Sequence, residues 1–142
     1  MTDIKTTVPS QSDYQLLADF RYTLRQFAAF SEQAALSLGL TAQQHQALLA
    51  IKGSSNGISL HVGEIAERLL IKPNTAAELV NRLVKLNWVE RREDPQDKRR
   101  IDVALTPKAE TLLEQLSQAH LNELRAMRPL LKRLLARVEH GD

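Results

Sequence analysis

Glu64-Ile65-Ala66-Glu67-Arg68-Leu69-Leu70, a break at Ile71-Lys72-Pro73-Asn74 and a second helical run as far as Asn87 are followed by Trp88 to Arg92 and by Ile101 to Leu105. The first run sets Ile65, Ala66 and Leu69 at helical spacing, and the second does the same with Leu79, Val80, Leu83 and Leu86. Two short amphipathic helices across a tight turn are therefore predicted. The start of the second carries two competing signals. Pro73 suits a first helical position, whereas Thr75 and Glu78 have the spacing of a capping box. Asn87 is the predicted stop, because asparagine tolerates the left-handed conformation that ends a helix. The period then changes. Ile101, Val103 and Leu105 alternate with Asp102 and Ala104 as in a half-buried strand, and Trp88 to Arg92 opens with strand formers. Glu93-Asp94-Pro95-Gln96-Asp97-Lys98 between them is polar and turn-forming, so a hairpin with a charged tip is expected.

Working outward, Leu17, Phe20, Leu24, Phe27 and Ala34 or Leu38 recur at three- and four-residue intervals and predict a long helix from Asp13, closed by Gly39. Thr41-Ala42-Gln43-Gln44 matches a capping box that opens a second helix with Leu48, Leu49 and Ile51 on its apolar face, ending near Gly53. A loop over Ser54 to Gly57 and a short extended piece over Ile58 to Leu60 lead into the central helix pair. Beyond the hairpin, Thr106 as N-cap and Pro107 at the first position start a helix carrying Leu112, Leu113, Leu116 and Leu124. Pro129 interrupts it, and Leu130, Leu131, Leu134, Leu135 and Val138 predict a last helix. The expected fold is mainly α (α+β): a winged helix-turn-helix over about residues 42–106 with a two-stranded wing. Helices over 13–38 and 107–139 flank it within a single domain spanning 13–142, and residues 1–12 form a flexible tail. The flanking apolar faces exceed what one winged helix of about 70 residues can cover, which predicts dimerisation through them.

Composition narrows the function. The chain has 142 residues, 43% hydrophobic and 25% charged, as expected of one globular domain. No apolar run approaches the roughly 20 residues of a membrane span, and the first residues lack the apolar core of a secretory signal, so a cytoplasmic location without membrane contact is expected. The absence of cysteine excludes disulfides, thiolate catalysis, cysteine-ligated zinc and thiol redox sensing. The net charge is only +2, from 19 basic and 17 acidic residues, so the distribution of charge carries the information. Arg82, Lys85, Arg91, Arg92, Lys98, Arg99 and Arg100 concentrate in and after the second central helix, against Glu90, Glu93, Asp94 and Asp97.

The outer face of that helix offers Asn74, Thr75, Glu78, Asn81, Arg82 and Lys85. Short polar and amide side chains there can reach base edges in a major groove about 12 Å wide, and backbone N–H groups at the helix start favour a phosphate. Arg92, Lys98, Arg99 and Arg100 on the hairpin would meet the neighbouring minor groove or the DNA backbone.

Val62-Gly63-Glu64-Ile65-Ala66-Glu67-Arg68-Leu69, then Leu79-Val80-Asn81-Arg82-Leu83, then Asp94-Pro95-Gln96-Asp97-Lys98-Arg99-Arg100 with Thr106-Pro107-Lys108 five residues on, resemble the MarR family of bacterial transcriptional regulators. The resemblance runs from about Asp13 to Arg137, and its most specific part is the Asp97-x-Arg99 wing element joined to the Leu-Thr-Pro helix start. Asn87 and Ala109 stand where many members have glycine. It implies a homodimer whose first and last two helices interleave, with recognition helices in the major grooves of a pseudo-palindromic double-stranded operator and Arg99 in the minor groove. Asp97 would orient the wing arginine through a charge-assisted pair. The resemblance also implies repression relieved by a small aromatic or phenolic effector, for which Arg21, Tyr22, Arg25 and His45 are the candidate ligand-binding residues.

Each reading has a plainer competitor. The wing basics are also a solvated hairpin, Asn81 and Glu78 also serve solubility and capping, and Arg21 and Arg25 lie beside the apolar stripe and face solvent. Trp88 reads as core beneath the wing, and the basic residues of the last helices as its wet face. His45, His61, His120 and His140 are widely spaced with no metal-binding pattern, so no metal and no cofactor are expected. No glycine-rich phosphate loop, nucleophile elbow or metalloprotease helix occurs, so no enzyme is expected. The alternative to DNA binding is a winged-helix interaction module whose basic wing binds an acidic protein partner; the polar face of residues 74–85 argues for DNA.

Overall fold

Nine elements follow one another along residues 8–140, which the computed structural model describes. They are α1 (Gln11–Ser37), α2 (Ala42–Lys52), β1 (Ser59–His61), α3 (Val62–Leu69), α4 (Pro73–Lys85), β2 (Val89–Glu93), β3 (Ile101–Leu105), α5 (Pro107–Ala126) and α6 (Arg128–His140). The chain forms two compact units, residues 31–119 and the residues before 31 together with those after 119. Residues 1–7 of the expected tail lie outside the described residues. No helix among the described residues is long and apolar enough to cross a membrane.

The unit of residues 31–119 is organised by its helix ends. The Thr41 box forms as predicted: Oγ1 accepts the Gln44 N–H at 3.1 Å, and Gln44 Oε1 accepts the Thr41 N–H at 3.0 Å. Gly39 is left-handed at φ 85°, which lets the Leu40 N–H turn back to the Ala35 carbonyl at 2.9 Å and close α1. The helix before the tight turn begins at Val62, two residues earlier than its apolar pattern suggests. His61 is its cap, with Nδ1 accepting the Gly63 N–H at 3.1 Å and Glu64 Oε1 accepting the His61 N–H at 3.4 Å. Leu70, expected within the helix, is instead its left-handed C-cap at φ 55° and is 92% exposed. Of the two start signals for α4, Pro73 prevails: the N-cap is Lys72, without a side-chain cap bond. Asn87 ends α4 in the left-handed region at φ 64°, as predicted, and the Trp88 N–H returns to the Leu83 carbonyl at 2.9 Å.

The sheet has three strands, not two, in the order β1-β3-β2, all antiparallel. The short extended piece before α3 is β1, which pairs Ser59 with Ala104, Leu60 with Val103 and His61 with Asp102. Leu60 and Val103 thereby bury on the core side with Ile65, Leu79, Val80, Leu83 and Val89. Trp88 is buried at the base of the wing, and the Lys108 ammonium sits 4.0 Å from the centroid of its ring while donating to the Leu86 carbonyl at 3.1 Å. Thr106 caps α5 as predicted, accepting from the Ala109 N–H at 3.3 Å, and its hydroxyl donates to the Asn87 carbonyl at 2.8 Å. Leu49 and Leu86, expected on buried stripes, are each 47% exposed. Leu86 is the residue that caps α4, where the chain leaves helical geometry and the side chain leaves the stripe.

The other unit contains the first part of α1, the end of α5 and α6. Its α1 start is fixed by a box the apolar pattern does not reveal: Asp13 Oδ2 accepts the Ser10 N–H at 2.9 Å and Ser10 Oγ accepts the Asp13 N–H at 3.2 Å. The helix therefore begins at Gln11, inside the stretch expected to be tail. Arg137 on α6 bonds the same carboxylate, with Nε 2.9 Å from Oδ1. The Ser10 N–H first and Arg137 second hold the Asp13 carboxyl below its ordinary pKa. A lowered folded-state pKa adds stability above the unfolded pKa, which is lost as pH falls through the folded value. A carbon-detected NMR titration is expected to show Asp13 titrating below an ordinary aspartate, and Arg137→Ala to move it upward; an unmoved midpoint would exclude the contact in solution. His120 lies edge-on to Phe27 and Phe30, at 5.7 and 5.4 Å between ring centroids. Tyr14, Leu17, Leu121, Leu124, Leu131, Leu135 and Val138 are exposed in the chain.

Candidate nucleic-acid interface

The face of α4 turned from the core carries every residue expected there. Ala76, Leu79, Val80 and Leu83 face inward, and Asn74, Thr75, Glu78, Asn81, Arg82 and Lys85 are exposed. The period of 3.6 makes this division, so an apolar stripe of four residues fixes the direction of six polar ones. Arg82 and Lys85 fall in the last turn, where positive charge complements the helix dipole. Thr41, Gln43 and Gln44 at the start of α2 border this face, and with Thr75, Glu78 and Arg82 they line a groove of about 500 Å³.

The wing tip is a bonded turn. Asp94 Oδ1 accepts the Gln96 N–H at 2.9 Å, and the Arg100 N–H donates to the Asp97 carbonyl at 3.0 Å. Asp97 reaches Arg99 through the main chain, its Oδ1 accepting the Arg99 N–H at 3.0 Å, and not through the side-chain pair expected from the resemblance. The short aspartate arm satisfies the turn's own N–H groups before it can span to a guanidinium. Among the described residues, neither Lys98 nor Arg99 makes a side-chain ion pair, and both are exposed.

The other two wing basics are differently placed. Arg92 pairs with Glu90, its Nε 2.9 Å from Oε1. Arg100 is held by carboxylates: Nη2 is 2.7 Å from Glu64 Oε1, and Nε is 3.1 Å from Asp102 Oδ1 and 3.9 Å from Asp94 Oδ2. Its hydrogen bond to Asp102 is the main cause of a raised pKa. Because Glu64 also caps α3, Arg100 ties the wing to the start of that helix. It is better described as a brace of the wing than as a free contact for DNA. Arg91, absent from the expected contact set, donates from Nη2 to Asn81 Oδ1 on α4. The alternation of β2 was the available signal, since it sets Arg91 on the side opposite Glu90 and Arg92.

The candidate effector residues fall in both units. Arg21, Tyr22 and Arg25 are exposed on α1 in the unit of the residues before 31 and after 119, whereas His45 is only 2% exposed within the unit of residues 31–119. Among the described residues no three His, Asp or Glu side chains gather as a metal site.

The family model of the MarR family matches residues 38–100, the stretch that holds α2 to the wing tip. The transcriptional repressor MdtR of Bacillus subtilis is 30% identical over 106 residues, which are 72% of this chain and 66% of that protein. The chain thus spans just under two thirds of that relative's length. Among solved structures, a MarR family protein from Bacillus stearothermophilus is similar with a TM-score of 0.77 at 17% identity, covering 95% of this chain and 98% of that one. A mutant of Staphylococcus aureus MepR bound to an oligodeoxyribonucleotide is similar with a TM-score of 0.64 at 22% identity, covering 88% and 97%.

Proposed function

Because this chain belongs to the MarR family, we propose that it is a DNA-binding transcriptional regulator acting as a homodimer on a pseudo-palindromic operator in the cytoplasm. The observation that carries the reading is the exposed polar face of α4 beside a basic wing within one compact unit. α4 reads base edges in the major groove, and Lys98 and Arg99 at the wing tip supply charge to the minor groove or backbone. The exposed leucines of α1, α5 and α6 support dimerisation, which sets two recognition helices about one DNA turn apart. Repression is the sign of regulation, as the name of the relative MdtR states for that protein. Release by a small aromatic or phenolic ligand completes the proposal, with exposed Arg21, Tyr22 and Arg25 as its contacts, whereas His45 is buried. A protein-binding wing is the weaker reading, because the outer face of α4 presents no large apolar side chain.

Selection from random duplex DNA, followed by salt titration on the winner, tests the reading. An enriched inverted repeat with affinity falling steeply with salt supports it; absence of any motif overturns it. Arg99→Ala is expected to weaken binding to all sequences alike. It should also reduce the magnitude of the log–log salt slope by about two, one phosphate-region contact per half-site. An unchanged slope on the selected operator would remove Arg99 from the interface.

A further inference from the structure

Asn81 and Arg91 join α4 to the wing through one side-chain bond, Arg91 Nη2 to Asn81 Oδ1. A guanidinium carries donors only, so this bond engages the oxygen end of the amide and not its NH2 end. The strand imposes the arrangement. Glu90 and Arg92 share one side of β2 and bond each other, while Arg91 shares the side of buried Val89 and meets α4. Both partners are exposed, so the bond is not a demand of core packing.

We propose that Arg91 is a positioning residue for base selection: it holds the Asn81 amide so that Asn81 offers NH2 donors to base acceptors, the O6 and N7 of guanine or the O4 of thymine. The proposal rests on the reading of α4 as the base-reading helix. An unrestrained asparagine grips adenine with both ends, donating to N7 and accepting from the N6 amine. Oδ1 keeps a second lone pair, but the cationic guanidinium beside it crowds and repels the donating N6 amine, so the accepting half of that grip is weakened and adenine loses its advantage. Arg91 thus alters which base is chosen without contacting one, and wing and recognition helix act together in specificity.

The test is duplex selection with the wild-type protein, Asn81→Ala, Arg91→Ala and the double variant, each checked for an unchanged helical spectrum. Positions whose preference flattens in Asn81→Ala are those that Asn81 reads. Guanine or thymine is expected there in the wild type, and Arg91→Ala is expected to shift the ratio toward adenine by about tenfold. The double variant should match Asn81→Ala, because the effect of Arg91 passes through the amide. Adenine already preferred by the wild type overturns the inference. So does an Arg91→Ala variant that weakens all sequences by one factor, which would make Arg91 a backbone contact. Failure of the wild type to select any motif overturns the regulatory reading and this inference together, and is thereby distinct from failure of the inference alone.

Discussion

Leu135→Glu is expected to convert the proposed dimer to a monomer and to lower affinity for the full operator by about 10²- to 10⁴-fold, the range gained by linking two binding modules. Leu131, Leu135 and Val138 are spaced as one stripe along α6, and Leu135 and Val138 are 61% and 80% exposed in the single chain. A carboxylate at Leu135 stays hydrated in the monomer, so the fold of one chain loses little. In a dimer interface the same carboxylate would be desolvated without a partner, which disfavours association strongly. Light scattering with fluorescence anisotropy on full and half operators checks both parts. A monomer with unchanged half-site affinity is the expected result. A variant that remains dimeric would place the interface away from this stripe.

Leu83→Ala is expected to destabilise the fold by about 2–5 kcal/mol, the usual cost of cutting a buried leucine and leaving a cavity. Leu83 is fully buried beneath α4, in the cluster that includes Leu48, Ile65, Val80 and Val103. Such a loss is a large fraction of a domain's typical net stability, about 5–15 kcal/mol. Because the residue anchors the helix that carries Asn81 and Arg82, operator binding should fall with stability. Urea denaturation at fixed protein concentration measures the cost, since dimerisation makes apparent stability concentration-dependent. Leu86→Ala, three residues on and 47% exposed, is the internal comparison and should cost less than about 1 kcal/mol. Equal losses at the two positions would contradict the burial pattern of α4.

Where a signal was local, it was legible in the chain. The Thr41–Gln44 box, Gly39 and Asn87 as stops, Thr106 as cap and the six outward residues of α4 each follow from residue type and spacing over a few positions. Helix caps and amphipathic stripes are properties of adjacent turns, so no distant partner is needed to predict them. The limits are equally physical. Leu86 and Leu49 satisfy the period of a buried stripe yet stay half exposed, because period selects a face and burial depends on what covers it. His61 is a weak cap by residue type, and it serves because β1 delivers it to the start of α3.

Elements and the polar face of α4 were thus determined by sequence alone, together with the basic charge at the wing tip. Tertiary structure decided the third strand, since Ser59 meets Ala104 only after α3, α4 and β2 have intervened. It decided which basic residues remain available: Arg100 is bound to Glu64 across 36 residues of chain, while Lys98 and Arg99 extend from the turn. It decided as well that Arg91 faces Asn81. All three depend on pairings between residues of separate elements. Local periodicity carries no record of such partners, which meet only when the buried faces of separate elements pack and bring their exposed side chains into register.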